Sequence, residues 1–243
     1  MHRNHHTDEL PAPWLVRGTP VGYSSGAAEQ AWKAQIMSAV PPAPAAHAGD
    51  GLLADFRTAP PTAKSPGFDL DNMLDPVFSA VINGRGWFGG HRANLRWVAA
   101  RKAVGETGVH LAVLEDPPRL WVESGAEVGL DDVYHDQLPS PAAIKDYTTW
   151  IQSHMLGALP GGPVGIEIDF TDDHVNLGDV GTGRAKVLID SMWPVLGGKP
   201  GAPDDRRVAA LILRKGIADL GGTVAIRVVR LPQTWPTAYA VSG

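Results

Sequence analysis

The sequence contains no cysteine, so neither a disulfide nor a thiolate metal site is available to this chain. It has no run of about 18 apolar residues, which excludes a transmembrane helix. Residues 1–14 lack the apolar core of a secretory signal peptide. These absences are compatible with a cytoplasmic protein without membrane attachment, and this is the localisation we expect.

Three widespread binding and catalytic motifs are also missing. The chain has no G-x-G-x-x-G segment that opens a helix, no G-K-[ST] loop and no G-x-S-x-G turn. Dinucleotide binding, P-loop hydrolysis and serine hydrolysis of the α/β type therefore lack support.

Positive charge is in deficit, with 21 basic against 26 acidic residues and a net charge of −5. Because neutralisation of phosphates drives nonspecific DNA binding, dedicated nonspecific DNA binders are usually basic, and this balance argues against a nucleic-acid partner. The distribution of charge along the chain matters more than its sum. The 28 glycines and 21 prolines predict long loops between short elements.

Three segments of the first half recur in the second half in the same order. The matched ranges are 31–44 with 149–163, 51–56 with 164–170, and 94–113 with 207–228. Their offsets are 118, 114 and 113 residues. Collinear matches at a nearly constant offset indicate a tandem duplication, although unrelated α/β domains can also share such patterns.

Apolar periodicity and turn residues predict similar elements in both halves. The predicted helices are 26–39, 71–83, 140–156 and 184–193, and the predicted strands are 51–56, 94–102, 108–114, 164–170, 206–214 and 223–230. PWLVRG (13–18) and RLWVE (119–123) are candidates for a further strand that opens each half.

We therefore predict an α/β (α+β) fold with two similar halves, 13–116 and 117–243, that follow a flexible tail of residues 1–12. Each half is expected to be a small mixed sheet with two helices, and a pseudo-twofold axis is expected to relate the halves. Such a chain is a pseudo-dimer by itself and is expected to be monomeric.

The segment FDLDNML (68–74) places Asp69, Asp71 and Asn72 within four positions. For an isolated D-x-D-N segment, capping of the following helix is the commoner explanation. The alternative is that the two carboxylates converge on Mg²⁺, which prefers one or two carboxylates together with water and phosphate oxygens. Bound Mg²⁺ can activate water and stabilise a leaving phosphate oxygen.

The second half supplies a different set of charged residues. Asp204 and Asp205 precede a predicted strand, and Lys186 and Asp190 lie four residues apart on a predicted helix. Taken alone, these are a polar turn and an exposed pair worth a few tenths of a kcal/mol.

The order D-x-D-N, helix with lysine, Asp-Asp, strand with Arg-Lys, glycine turn and strand resembles the RusA-type Holliday junction resolvases. Members of that family are small homodimeric α/β endonucleases of roughly half this length. The resemblance therefore implies Mg²⁺-dependent cleavage of branched DNA. It also implies three aspartates and a lysine at each site. Each half matches one protomer over most of its length, so the chain resembles a tandem-duplicated, partly degenerate form of the family dimer.

In the first half, only one part of the family's site is matched. Asp69, Asp71 and Asn72 match the D-x-D-N motif. Asp75 occupies the position of the lysine, and Gly89-Gly90 occupies that of the Asp-Asp pair.

In the second half, the matched part is the complementary one. Lys186 matches the lysine and Asp204-Asp205 matches the acidic pair, whereas DVGTG (179–183) lacks the acids of the first motif. Neither half keeps a complete site.

Three hypotheses follow. In a composite site, Asp69, Asp71, Asp204 and Asp205 hold Mg²⁺, and Asp69, Asp71, Lys186 and Asp205 form the catalytic set. Lys186 then steadies the charge of the transition state. The alternative is a catalytically degenerate, RusA-like DNA-binding or scaffold protein. A third possibility is an accidental repeat in an unrelated small enzyme.

Basic residues cluster locally in spite of the negative net charge. Residues 83–102 contain five arginines and lysines and no acid. The predicted contacts to branched or double-stranded DNA are Arg85, Arg92, Arg96, Arg101, Lys102, Arg184, Arg206 and Arg207. Trp87 and Phe88 either wedge against unstacked bases or pack under their loop, and we favour packing.

Overall fold

A computed structural model describes residues 14–43, 50–60, 69–121, 126–136, 144–180 and 183–232. The predicted tail of residues 1–12 lies outside this part of the chain. Within these ranges the fold is mixed α+β, with five α-helices and one large mixed sheet. None of the described helices combines the length and the apolar character needed to cross a membrane.

The elements follow the chain in two comparable series. They are β1 (Trp14–Arg17), α1 (Ala27–Ala39), β2 (Gly51–Thr58), α2 (Leu70–Phe78), β3 (Trp97–Val104), β4 (Gly108–Leu114), β5 (Val128–Tyr134), α3 (Ile144–His154), β6 (Val164–Phe170), α4 (Arg184–Ser191), α5 (Trp193–Leu196), β7 (Gly198–Lys199), β8 (Ala202–Pro203), β9 (Val208–Lys215) and β10 (Val224–Arg230). A π-helical turn, Ser79–Gly84, extends α2, and 3₁₀ turns cover Trp87–Gly90, Arg92–Asn94 and Asp205–Arg207.

Most predicted elements are present, but the strand expected at 119–123 is wrong over its described residues, 119–121, and residues 122 and 123 lie outside the described part of the chain. Residues 117–121 have no regular structure, and Leu120 and Trp121 are buried. The strand that opens the second half is β5 instead. Two prolines at 117 and 118 disfavour a sheet ladder, and the apolar pair of this segment covers a sheet face rather than joining the sheet.

Eight strands form one continuous sheet in the order β1-β4-β2-β3-β9-β6-β10-β5. The separate small sheets expected for each half are therefore merged, because β3 pairs with β9 in antiparallel orientation at the centre. On either side of that pair, the central strand has a parallel neighbour, β2 or β6. The two outer pairings are antiparallel on both sides. The pairing sense thus reads the same from either end of the sheet.

The two faces of the sheet carry cores of different size. Strand side chains alternate between faces, so Leu52, Ala54 and Phe56 join the helices in the large core while Leu53 points to the other face. The smaller core on that second face includes Leu120. All residues that helices α1 to α5 contribute to a core belong to the large one.

Two arginine–aspartate pairs occupy the face of the sheet opposite to the helices. Arg101 on β3 donates from Nε and Nη2 to the two carboxylate oxygens of Asp55 on β2, at 2.8 Å each. Arg214 on β9 makes the same two bonds to Asp169 on β6, at 2.6 and 2.5 Å. The lysine that follows each arginine points to the opposite face, because strand side chains alternate.

The loop aromatics pack inside the protein, as favoured above. Trp87 is fully buried and Phe88 is nearly so. The indole Nε1 of Trp87 donates to the carbonyl of Pro41, and its ring contacts Trp14 at 4.9 Å between centroids. These rings are therefore not free to stack on bases.

Candidate metal centre

The candidate site lies where the end of β3 meets the start of β9. Asp69 and Asp71 are at the beginning of α2, and Lys186 and Asp190 are on α4. Asp205 begins the 3₁₀ turn that leads into β9. Because β2 and β3 are parallel and β3 is antiparallel to β9, the start of α2, which follows β2, lies close to the turn that leads into β9.

Three carboxylates gather in a group that can hold a metal ion. Asp69, Asp71 and Asp205 each offer an oxygen, and these oxygens lie within 4.8 Å of one another. Asp71 is only 3% exposed, and the other two are partly buried. No other group of three or more histidine or acidic side chains among the described residues meets this distance criterion. The predicted meeting of Asp69 and Asp71 with Asp205 is therefore present, with residues from both halves.

Asp204 stands apart from this group. The described ligand set consists of Asp69, Asp71 and Asp205 and does not include Asp204. The backbone of Asp204 is bonded to Gly197 and Arg207, which fixes the turn. Of the predicted acidic pair, only Asp205 is thus positioned as a ligand.

Helix capping does not explain Asp69. It holds the position before α2, but its side chain makes no hydrogen bond to the helix amides. Its Oδ2 accepts a bond from the Asn72 side chain at 3.1 Å. Its Oδ1 is buried and has no hydrogen-bond partner in the part of the chain that the structure describes. A buried acceptor of this kind costs free energy unless something donates to it or binds it.

Lys186 forms ion pairs with three aspartates, one from the first half and two from the second. Its Nζ lies 2.9 Å from Asp71, 3.0 Å from Asp190 and 3.2 Å from Asp205. Burial opposes the charge of this ammonium, but the attraction of Asp71 and Asp190 raises the pKa of Lys186 above its ordinary value. Lys186 is therefore a fixed positive charge within the cluster.

Lys102 is a second cation in the site, which the sequence reasoning placed among the DNA contacts. It follows Arg101 on β3 and points to the helix face, where Nζ donates to the Arg206 carbonyl at 2.7 Å. Burial lowers the pKa of Lys102 to about 8, against the opposing pull of carboxylates that include Asp69 and Asp71. The alternation of side chains along β3 was the available signal for this location.

The positive charges of Lys102 and Lys186 do not fully offset the burial and mutual repulsion of the carboxylates. Burial, followed by the charges of Asp205 and Asp71, raises the pKa of Asp69 to about 6, although Lys102 and Lys186 act in the opposite direction. Burial also raises the pKa of Asp190. A divalent cation would relieve this repulsion.

The site opens into a cleft of about 500 Å³. Asp69, Lys186, Asp190 and Asp205 form one part of its lining, and the short hairpin of β7 and β8 forms another. Arg206 also lines the cleft and is exposed. The carboxylates of Asp69, Asp190 and Asp205 thus face the cleft, on the side where Arg206 provides positive charge, and Asp71 lies behind them.

The donor set fits a hard divalent cation. Three carboxylates with no nitrogen or sulfur ligand match the preference of Mg²⁺, Mn²⁺ or Ca²⁺ for oxygen. The buried and unpaired Oδ1 of Asp69 is an acceptor that such an ion would satisfy.

Two of the predicted DNA contacts are wrong because their side chains are committed inside the protein. Arg101 is 1% exposed and paired with Asp55. Arg92 bonds to the side chains of Asp75 and Ser79 and to the Gly178 carbonyl. Neither guanidinium is available to a phosphate.

The other predicted contacts differ in their availability. Arg207 is largely used by backbone carbonyls, among them those of Leu159 and Gly162. Arg85 and Arg96 are partly buried, whereas Arg184 and Arg206 are exposed. Arg184 pairs with Asp172 at 3.1 Å across the surface.

Metal affinity is expected to fall in acid, because a metal must displace the proton from Asp69, whose pKa is about 6 in the metal-free protein. Below that pH, affinity should drop by up to about tenfold per pH unit for this group. Titration of Mn²⁺ by calorimetry between pH 5 and 8 measures this.

The metal-free protein should show the opposite trend in stability. The folded state binds the Asp69 proton more tightly than the unfolded chain does, so this group lowers stability as pH rises from 3.8 to about 6. In Asp69→Asn this part of the pH dependence should disappear. An unchanged profile in the variant would contradict the assignment of the shift to Asp69.

Comparison with known proteins finds no matching family model, no matching curated protein and no matching solved structure.

Proposed function

We propose that this protein is a Mg²⁺-dependent, structure-selective endonuclease that acts on branched DNA such as Holliday junctions, and that it is a RusA-like tandem duplication with one composite site. The observation that carries the proposal is the meeting of Asp69 and Asp71 from one half with Lys186 and Asp205 from the other. The motif order of the sequence had divided these residues between two incomplete sites.

Internal resemblance of the halves supports the duplication. Asp169 follows Asp55 by 114 residues, and Arg214 follows Arg101 by 113 residues. The two arginine–aspartate pairs use the same atoms, one across β2 and β3 and the other across β6 and β9. The sheet order is a palindrome about the β3–β9 pair. A pseudo-twofold axis through the centre of the sheet, between 13–116 and 117–243, accounts for both features.

In the proposed reaction, Asp69, Asp71 and Asp205 would hold Mg²⁺. When bound, the ion supplies Lewis acidity for activating water and for stabilising charge on phosphate oxygens. Lys186 is held beside the carboxylates as a permanent positive charge and offsets the negative charge that develops at phosphorus. Lys102 supplies a second positive charge next to the same carboxylates.

Hydrolysis consumes one water per cut. The water oxygen bonds to phosphorus, the bond from phosphorus to one sugar oxygen breaks, and a water proton passes to the departing sugar oxygen. The products are a phosphate monoester and a hydroxyl. The exposed Arg206 at the cleft and the nearby Lys199 would contact DNA phosphates without reading sequence.

A second candidate function is that of a RusA-like DNA-binding or scaffold protein without hydrolysis. The ion pairs of Lys186 with Asp71, Asp190 and Asp205 favour it, because they partly neutralise the carboxylates without a metal. In that case the cleft, together with the exposed Arg206 and Lys199, would bind branched DNA but not cut it.

Cleavage of a synthetic four-way junction separates the two functions. We expect cleavage with Mg²⁺ and none with EDTA, and we expect tighter binding to the junction than to a linear duplex of the same length, measured at low salt. Binding without cleavage in Mg²⁺ or Mn²⁺ would support the scaffold function. Loss of both would contradict any role on DNA.

A further inference from the structure

The other end of the β3–β9 pair has the same backbone arrangement as the end that carries the metal centre. There the end of β9 meets the start of β3, as the end of β3 meets the start of β9 at the acidic cluster. Lys215 at the end of β9 donates to the carbonyl of Ala93, and Lys102 on β3 donates to the carbonyl of Arg206. Ala93 and Arg206 each occupy the second position of a 3₁₀ turn.

This match identifies the counterpart of Asp205. Asp205 is the first residue of the turn before β9, and Arg92 is the first residue of the turn before β3. The separation of 113 residues is the one that relates Arg101 to Arg214. A potential metal ligand in one turn is therefore an arginine in the other, and not the Gly89-Gly90 pair that sequence comparison had placed there.

The helix residues that contact the two turns are also exchanged in charge. Lys186 on α4 pairs with Asp205, and Asp75 on α2 pairs with Arg92 at 2.6 Å. The residue four positions further along each helix, Asp190 or Ser79, joins its own cluster. The contact persists in both halves, but lysine–aspartate has become aspartate–arginine.

The guanidinium of Arg92 fills its location. It donates to Asp75, Ser79 and the Gly178 carbonyl and lies 5.7 Å from the centre of the Phe78 ring. A Cβ on Gly178 would come within 2.4 Å of the Arg92 side chain, so backbone packs directly against it. A fixed positive charge in this position excludes a divalent cation by repulsion.

We propose that each chain carries one metal-dependent cutting site, so that it nicks one strand of a branched DNA per binding event instead of making a pair of symmetric cuts. This inference rests on the proposed function and narrows it. A symmetric dimer of complete protomers has two sites related by its axis, whereas here Arg92 and Asp75 occupy the second. The resulting activity is that of a branch-selective nicking endonuclease.

The order of products from a supercoiled plasmid with an extruded cruciform tests this inference. At concentrations where sedimentation shows a monomer, we expect nicked circles to form first and linear molecules to follow only after a lag. Linear molecules formed without a nicked intermediate would overturn the single-site proposal. Absence of any cut would instead contradict the proposed function itself.

Metal binding gives a second readout that does not depend on cleavage. Saturable Mn²⁺ binding, followed by electron paramagnetic resonance at pH 7.5, should be lost in Asp205→Asn and retained in Asp204→Asn. Two Mn²⁺ bound per unaltered chain, one of them still bound with unchanged affinity in Asp205→Asn, would reveal a second site and overturn the proposal. Lack of saturable binding in the unaltered protein would mean that the composite metal site itself is wrong.

Discussion

Replacement of Asp71 by asparagine is expected to reduce cleavage of a four-way junction by about 10²–10³-fold, because loss of one ligand removes several kcal/mol of charge stabilisation. Asp71 is the most buried of the three ligands and also contacts Lys186. Asparagine keeps the shape of the side chain, so the fold should be preserved. Single-turnover rates with the junction in excess Mg²⁺ measure the effect.

Binding separates chemistry from recognition in this variant. Since Asp71→Asn removes a negative charge beside the cleft that is proposed to bind DNA, junction affinity should be equal or higher. Asp204→Asn is the matched control, because Asp204 neighbours a ligand but lies outside the ligand group. Its cleavage rate should stay near that of the unaltered protein. An equal loss in both variants would argue against the assigned ligand set.

Replacement of Arg101 by methionine is expected to lower the free energy of unfolding by about 3 kcal/mol. The change leaves the buried Asp55 carboxylate without its bidentate partner, and breaking a buried pair costs about 3–5 kcal/mol. The lower end applies because Arg57 still contacts Asp55 at 2.9 Å. Urea denaturation at neutral pH, with an unchanged slope, measures the loss.

The equivalent change in the other half supplies the control. Arg214 makes the same bonds to Asp169 but its side chain is 32% exposed, against 1% for Arg101. Solvent can replace much of what the more exposed pair provides, so Arg214→Met should cost about 1 kcal/mol. A double variant Asp55→Asn/Arg101→Met should recover part of the loss. Equal costs for Arg101→Met and Arg214→Met would show that burial does not set the strength of these pairs.

Local sequence patterns predicted most elements correctly because helix and strand periodicities are local properties. Helices α1 and α2 and strands β4, β6 and β10 begin and end within a few residues of the predicted positions, although a π-helical turn completes the second helix. The error at 119–123 arose where an apolar segment packs on the sheet without pairing with it. Apolar content alone does not distinguish these two roles.

The arginine predictions show a different limit. Arg101 and Lys102 are adjacent in the sequence and were treated alike, but one pairs with Asp55 behind the sheet and the other faces the acidic cluster. Alternation along a strand separates them, but the identity of each face depends on where the helices pack. Arg92 was assigned to DNA for its charge, and its partners on α2 and at Gly178 became evident only from the fold.

The sequence by itself determined the repeated order of elements, the presence of two incomplete acidic motifs and the Arg-Lys step in each half. The tertiary structure decided that Asp69 and Asp71 meet Asp205 and Lys186 and that Asp204 lies outside this group. It also decided that Arg92 occupies the position before β3 that corresponds to that of Asp205 before β9. The physical reason is the register of the central strands: β2 and β3 are parallel and β3 is antiparallel to β9, so the start of α2, which follows β2, lies beside the turn that leads into β9. Strand register across distant segments is a property of the assembled sheet, and a local pattern of residues does not specify it.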